Sequence, residues 1–123
     1  MHDDGEIWAV TLWEARAKLI DAYGYLVGRR LMEQLVVDGM KLSPSRPSML
    51  TGRSTILLAD IVNNGGANFC LLLEAFAKRG MGASACSGVG CQASDTGNSN
   101  DRTVTAAFDL PPACQATAAL RNK

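Results

Sequence analysis

A long apolar helix is predicted near the start of the chain, at residues 4–23. Two adjacent stripes of apolar side chains repeat there at helical spacing. The first stripe consists of Trp8, Leu12, Ala15 and Leu19, and the second consists of Ile7, Val10, Trp13, Ala17 and Ile20. Aspartates before the helix can cap its start, and Gly24 offers a left-handed stop. Because the two stripes lie side by side, we expect this helix to be buried over a wide arc.

A second helix is predicted from about Leu26 to Val37, with its apolar side chains facing inward and Asp38-Gly39 as its end. Residues 43–47 contain two prolines, which disfavour helix at the residues before them, and small polar residues that suit turns. We therefore expect a loop between the second and third helices.

Ser48 is predicted to cap a third helix, which ends at Asn63-Asn64-Gly65-Gly66 because asparagine and glycine tolerate positive φ. A fourth helix is predicted from about Ala67 to Arg79, with Gly80 as its stop. The segment Asn63–Gly66 precedes a helix and would offer backbone amides to a phosphate. A plain helix-to-helix turn is the favoured interpretation of that segment.

Beyond Gly80 the composition changes to mainly Gly, Ser, Asn, Asp and Ala. A surface loop is predicted there, then a short β-like run at residues 103–110 and a frayed or weakly helical end at residues 115–123. The predicted fold is therefore mainly α. It consists of a bundle-like lobe of about four helices at residues 1–85 and an irregular Cys/Gly/Ser-rich tail at residues 86–123 that closes the domain.

Charge and hydropathy limit the partners of the chain. Hydrophobic residues make up 47% of the sequence and charged residues 20%, which is enough apolar material for one core. The 12 Lys and Arg residues balance 12 Asp and Glu residues, so the basic excess that nucleic acid or an anionic membrane demands is absent. No apolar run approaches the roughly 20 residues that span a bilayer. Neither nucleic acid nor a membrane is an expected partner.

The cysteines at positions 70, 86, 91 and 114 leave two uses open. Disulfides formed in an oxidising compartment would fasten the tail, which has too little apolar content to hold itself down. Zinc is the alternative for Cys86 and Cys91, although one cysteine pair with a single distant histidine is a poor set of four ligands. Residues 1–6 are acidic and polar, unlike the basic and apolar start of a secretory signal.

Motifs for catalysis are few in this sequence. His2 is its only histidine, which excludes a self-contained zinc site built from two or three imidazoles. The HExxH, G-x-S-x-G and Walker motifs are absent. Trp8 and Trp13 are predicted to be core residues because they lie in apolar stripes, and Asp38 and Asp60 to serve turns or caps because they lie near helix ends. The chain is therefore not expected to carry a complete catalytic site.

Four ordered segments resemble those of the fungalysin-type zinc metalloendopeptidases. Residues 2–9, H-D-D-G-E-I-W-A, are similar to the V-H-x-x-G-E-x-W-A segment of that family. Residues 34–44 resemble its Q-L-V-x-D-G-x-K-L-x-P segment. Residues 65–70 and 75–82 resemble its G-G-A-N-x-C and A-F-A-x-R-G-x-G segments. The resemblance covers residues 2 to about 85 in order.

The resemblance implies the helical C-terminal lobe of a thermolysin-like fold in an extracellular enzyme that hydrolyses peptide bonds. The expected partner is the N-terminal zinc-binding lobe of the same enzyme, and the expected substrate is a protein or peptide. Two HExxH histidines and a downstream glutamate would bind zinc in that other lobe. Because none of these ligands has a counterpart here, the chain is expected to bind no cofactor by itself and to be inactive alone.

His2 is the one site residue that the resemblance carries over. It corresponds to the family's histidine that stabilises the tetrahedral oxyanion.

A departure from the family pattern falls in the third helix, where Gly52-Arg53-Ser54 replaces A-R-D. Because glycine lowers helix stability, local packing there is expected to be weaker. The alternative from another class is a stand-alone helical binding or structural module without catalysis, and a coding sequence for HExxH just upstream would distinguish the two.

Overall fold

A computed structural model describes residues 2–87 and 104–121, with the backbone alone at residues 2–4, 87, 104 and 121. Four helices come first: α1 (His2–Tyr23), α2 (Tyr25–Leu42), α3 (Met49–Asn64) and α4 (Phe69–Lys78). Two short antiparallel strands, β1 (Cys86–Ser87) and β2 (Val104–Thr105), are followed by α5 (Pro112–Arg121). The mainly helical fold predicted from the sequence is confirmed.

A single glycine joins α1 to α2 and brings the two helices into backbone contact. Gly24 has a φ of 89°, a conformation that favours glycine, and its amide donates a hydrogen bond to the Ile20 carbonyl oxygen at 2.7 Å. One turn later Gly28 lies against α1, where a Cβ atom would stand 2.5 Å from the Ile20 nitrogen. Only a residue without a side chain allows this approach, so α1 and α2 form a tight antiparallel pair.

Helix α2 continues to Leu42, so the prediction that it ends at Asp38-Gly39 is wrong. Gly39 is buried within the helix, and a Cβ atom on it would lie 2.9 Å from Cγ1 and 3.3 Å from Cα of Ile56. The glycine therefore serves the close packing of α2 on α3 rather than a turn. The C-cap of α2 is Ser43, whose extended backbone is the conformation expected of a residue that precedes proline.

Both predicted ends of α3 are confirmed. The Ser48 hydroxyl accepts a hydrogen bond from the Thr51 amide at 3.0 Å, as an N-cap residue does. At the other end Gly65 has left-handed backbone with a φ of 62°, and its amide donates to carbonyl oxygens of the last turn. The segment Asn63–Gly66 is thus the helix-to-helix turn favoured by the sequence.

A buried carboxylate organises this turn. Asp60 is fully buried and accepts hydrogen bonds from the Asn68 amide at 2.8 Å, from Asn68 Nδ2 at 2.8 Å and from Asn64 Nδ2 at 3.0 Å. The Tyr23 hydroxyl donates to Asn68 Oδ1 at 2.6 Å. The turn or cap role predicted for Asp60 is confirmed, and the network joins the end of α1 to the turn between α3 and α4.

The hydrophobic core lies among the first four helices. Its largest fully buried apolar side chains are Leu19, Leu35, Leu72 and Phe76. The indole of Trp8 stacks on Phe76 with 6.1 Å between ring centres, and it packs against this core from one edge. The core position predicted for Trp8 is confirmed in this partly buried form.

The segment after α4 is held on the bundle by backbone contacts and one arginine. The Gly82 amide donates to the Ala107 carbonyl oxygen at 2.7 Å, and Met81 and Ala107 form a parallel bridge. Arg53 in α3 donates from Nη1 to the Gly82 carbonyl oxygen at 2.7 Å. These bonds align the chain before β1 with the chain after β2.

A disulfide joins α4 to α5 through Cys70 and Cys114. Disulfide formation, one of the two uses that the sequence left open, is therefore the use of these two cysteines. Helix α5 is regular over Pro112–Arg121, where a frayed or weakly helical end was expected. Most of the predicted surface loop, including Cys91, lies outside the described residues, and the division of the chain at residue 86 stays a prediction.

Glu14 in α1 makes ion pairs with Lys78 at 3.2 Å and Arg79 at 2.9 Å. Hydrogen bonds from Lys78 and then Arg79 hold the pKa of Glu14 below its ordinary value of 4.5. A carboxyl with a lowered pKa in the folded state stabilises it above the unfolded pKa, and this contribution is lost as the pH falls through the folded pKa. We expect Glu14→Gln to reduce the loss of stability below pH 4.5, measured by urea unfolding at a series of pH values.

The matched control for this prediction is Glu6→Gln, a change at an exposed residue of the same helix. It should leave the acid dependence of the free energy of unfolding as it is in the wild-type chain. Identical acid dependence in Glu14→Gln and wild type would contradict the prediction.

Candidate functional site

His2 is the first residue of α1, whereas the sequence predicted it just before the helix. Its side chain lies outside the described part, so its functional role stays a prediction. The first residues of a helix have backbone N–H groups without intrahelical partners, and this end of the helix dipole is positive. Negative charge beside His2 would therefore be favoured by the helix as well as by an imidazole donor.

A pocket of about 280 Å³ opens between the first half of α1, the end of α2 and the start of α3. Trp8 and Met49 give it apolar walls, and Ser43 and Ser48 are among its polar side chains. At 1.5 Å per residue, Trp8 lies about 9 Å along the helix from His2. The pocket is thus at the end of the bundle where α1 begins.

Gly52 in α3 and Trp8 in α1 fit together beside this pocket. A Cβ atom on Gly52 would lie 2.9 Å from Trp8 Cζ2, so the indole occupies the space that a side chain at position 52 would need. The expected weaker packing at Gly52 is therefore wrong, because the ring of Trp8 fills the place. This contact packs the second turn of α1 against α3.

The side of α1 that faces away from the core is apolar and exposed. Ile7, Val10 and Trp13 are 50%, 44% and 64% exposed. The prediction that α1 is buried over a wide arc is therefore wrong for the second stripe, and Trp13 is not a core residue. Within the described part of the chain, the neighbouring helices cover the first stripe of α1 and Thr11, while Ile20 of the second stripe is half-buried against α2.

Arginine and aromatic side chains gather beside this stripe. The guanidinium carbon of Arg16 lies 4.3 Å from the ring centre of Trp13 and 5.7 Å from that of Tyr25, and the guanidinium carbon of Arg29 lies 5.6 Å from Tyr25. A second pocket of about 310 Å³ adjoins Trp13, Arg16 and Arg29. Sequence alone does not predict the cluster. The i,i+3 spacing indicates that Trp13 and Arg16 are neighbours on one helix face, but it does not show that Tyr25 and Arg29 of the next helix join them.

Asp38 links two helices and does not serve a turn, so its predicted role is wrong. It lies inside α2, where Gln34 Nε2 donates to its carboxylate at 2.9 Å. Asn63 Nδ2 of α3 donates to the same carboxylate at 2.6 Å. The Asp38 carboxylate therefore accepts hydrogen bonds from two side-chain amides and joins α2 to α3.

Zinc ligands are not gathered in the described part of the chain. Within residues 2–87 and 104–121, no group of three His, Cys, Asp or Glu side chains could hold a metal ion. Cys86, which had zinc binding as an alternative use, is in a disulfide. The described residues therefore do not fit a zinc ion. Within the same ranges, no helix has both the length and the hydropathy to cross a membrane.

Comparison with known proteins gives a consistent result. Residues 1–85 match the fungalysin metallopeptidase family (M36). Extracellular metalloproteinase mep of Aspergillus niger is 43% identical over 98 residues, which cover 69% of this chain and 16% of that protein. Extracellular metalloproteinase 2 of Arthroderma otae is 34% identical over 127 aligned residues, which cover 93% of this chain and 18% of that protein.

The chain spans less than a fifth of the length of these two relatives. The family match nevertheless covers more than half of the chain and includes α1, α2, α3 and α4. It also contains the segment that begins with His2 and the turn that Asp60 organises. The chain therefore belongs to the fungalysin metallopeptidase family (M36).

Proposed function

We propose that this chain is the C-terminal helical lobe of a secreted zinc metalloendopeptidase, an enzyme that hydrolyses peptide bonds. The observation that carries the proposal is the family match over residues 1–85, which coincides with the four-helix part of the fold. The relatives are named extracellular metalloproteinases. The Cys70–Cys114 disulfide supports secretion, because such bonds persist in oxidising compartments and are rare in the cytosol.

The zinc-binding lobe is expected to come from the rest of the enzyme. The relatives are several times longer than the region that this chain matches, and the described residues offer no group that fits a metal ion. In the intact enzyme the helical lobe would form one side of a cleft, and a protein or peptide substrate would lie between the two lobes. Alone, the chain is expected to be inactive.

His2 is the residue of this chain that we expect to act on the substrate. An imidazole N–H can donate a hydrogen bond to the carbonyl oxygen of the scissile peptide as negative charge develops on that oxygen. The start of α1 favours negative charge at the same place. Because the hydrogen bond strengthens as the charge grows, it lowers the barrier to reaction more than it improves binding of the substrate.

A chimera in which this chain replaces the matched segment of the Aspergillus niger metalloproteinase would supply an intact enzyme for the test. We expect His2→Ala to lower kcat by roughly 10²- to 10³-fold, with a smaller change in KM. Zinc content should stay unchanged, because His2 is not proposed as a ligand. Asp3→Ala, in the same first turn of α1, is the matched control and should retain most of the activity.

Full activity in the His2→Ala chimera would overturn the proposed role of His2. A chimera that folds and binds zinc but never hydrolyses a protein substrate would favour the alternative function, a stand-alone helical binding or structural module.

A further inference from the structure

The two pockets lie side by side along the α1–α2 pair, and together they are here called the α1–α2 groove. Leu12 and Val36 line both pockets, and the two pockets together extend from Trp8 to Arg16, about 12 Å along α1. Its α1 lining includes the row Trp8, Leu12 and Arg16 with Trp13 beside it, and its α2 lining includes the row Met32, Val36 and Met40. Each row advances by four residues per step, which is the spacing of a ridge on a helix surface.

This shape selects the kind of partner. A groove between two ridges of four-residue spacing accepts the corresponding ridge of a third helix. An added β-strand would need free backbone groups at a sheet edge, and helix backbones do not offer them. The exposed stripe of Ile7, Val10 and Trp13 continues the apolar surface beside the groove. The surface therefore fits an apolar helix face.

One end of the groove is positively charged. Arg16 and Arg29 line it together with Glu33, whose carboxylate lies 3.9 Å from Arg29. In the described ranges, Arg16 has aromatic neighbours and no carboxylate within ion-pair distance. The Nε atom of Arg29 is buried without a hydrogen-bond partner. Glu33 balances only one of the two guanidinium charges, and a carboxylate is the acceptor that complements a guanidinium group.

We infer that the α1–α2 groove binds an amphipathic helix from the zinc-binding part of the same enzyme, and that an acidic residue of this helix pairs with Arg16 and Arg29. The inference rests on the proposed function and names the surface through which the lobe joins the rest of the enzyme. Two facts select this occupant. The relatives extend far beyond the matched region, and the groove lies along the helix that carries the proposed oxyanion donor at its start.

The test mixes the whole chain with Aspergillus niger metalloproteinase mep that lacks its matched segment, in the presence of zinc. The affinity of the two proteins is measured by titrating one with the other. The exposure of Trp13 is measured by quenching of tryptophan fluorescence. We expect Trp13 to become shielded in the complex. The double variant Arg16→Glu/Arg29→Glu should bind roughly tenfold or more weakly, because it places negative charge opposite the partner's carboxylate.

Arg30→Glu is the matched control for the charge reversal. Arg30 is the neighbour of Arg29 in α2, its side chain is exposed, and it is outside the groove. This variant should bind like the wild-type chain. Helical circular dichroism shows whether each variant folds. If the double variant does not fold, the affinity of Arg16→Gln, which leaves the Arg29–Glu33 pair intact, tests the inference in its place.

The outcomes separate the inference from the proposed function. Unchanged affinity in a folded charge variant, with an active complex, would overturn the inference and leave the function standing. Failure of the wild-type chain to join the zinc-binding part would overturn the proposed function and the inference with it. Shielding of Trp13 in the chain alone as its concentration rises would assign the groove to a second copy, which also overturns the inference.

Discussion

Gly28→Ala is expected to lower the free energy of unfolding by about 3 kcal/mol, the upper part of the range for overpacked positions. A Cβ atom at this position would stand 2.5 Å from the nitrogen and 2.6 Å from the Cα atom of Ile20. These are backbone atoms, which cannot rotate away as the end of a side chain can. Relief requires α1 and α2 to move apart. The better helix propensity of alanine stabilises the chain by only about 1 kcal/mol. The steric clash is larger, so the net change in the free energy of unfolding is a loss.

Urea unfolding followed by helical circular dichroism measures this effect, and Gly5→Ala is the matched control. Gly5 is also a helical glycine, in α1 instead of α2, but a Cβ atom on it would meet nothing within 4 Å. Alanine there should be neutral or should stabilise the chain by up to about 1 kcal/mol. If the two variants unfold at the same urea concentration, α1 and α2 do not make the backbone contact described above.

Helix positions were predictable from the sequence wherever the signals are local. Ser48 and Gly65 act on the backbone within a few residues, through a side-chain cap and a left-handed conformation. Gly39 shows the limit of such signals. A glycine can serve either a turn or a close contact between helices, and the neighbouring sequence does not distinguish the two roles. The contact that decides is with Ile56 of α3, which is distant in sequence. Tertiary packing therefore overrode the local stop signal.

The same limit applies to the candidate site. Periodicity shows that Trp13 lies in an apolar stripe of α1, but only the packing of the other helices shows which stripe is covered. The cluster of Arg16, Tyr25 and Arg29 depends on the pairing of α1 with α2. His2 could be singled out only through the family resemblance, since a lone histidine near a chain end carries no local signal of function.

Removal of the Cys70–Cys114 disulfide is expected to destabilise the chain by about 4 kcal/mol, if the chain entropy of the unfolded state dominates. The bond links cysteines 44 positions apart, and reopening so long a loop returns considerable freedom to the unfolded chain. Cys114 is also the buried residue among the described side chains of α5, most of which are exposed. Without the bond, α5 should separate from α4 before the other helices unfold.

The double variant Cys70→Ala/Cys114→Ala tests this more cleanly than a reductant, because Cys86 is also in a disulfide that a reductant would open. Urea unfolding gives the free energy, and amide hydrogen exchange shows whether α5 loses protection first. Ala119→Ser, at an exposed position of α5, is the control and should change neither quantity. Equal stability of the double variant and wild type would mean that packing alone holds α5. A large loss would mean that the lobe reaches its full stability only in an oxidising compartment, as the proposed secreted enzyme requires.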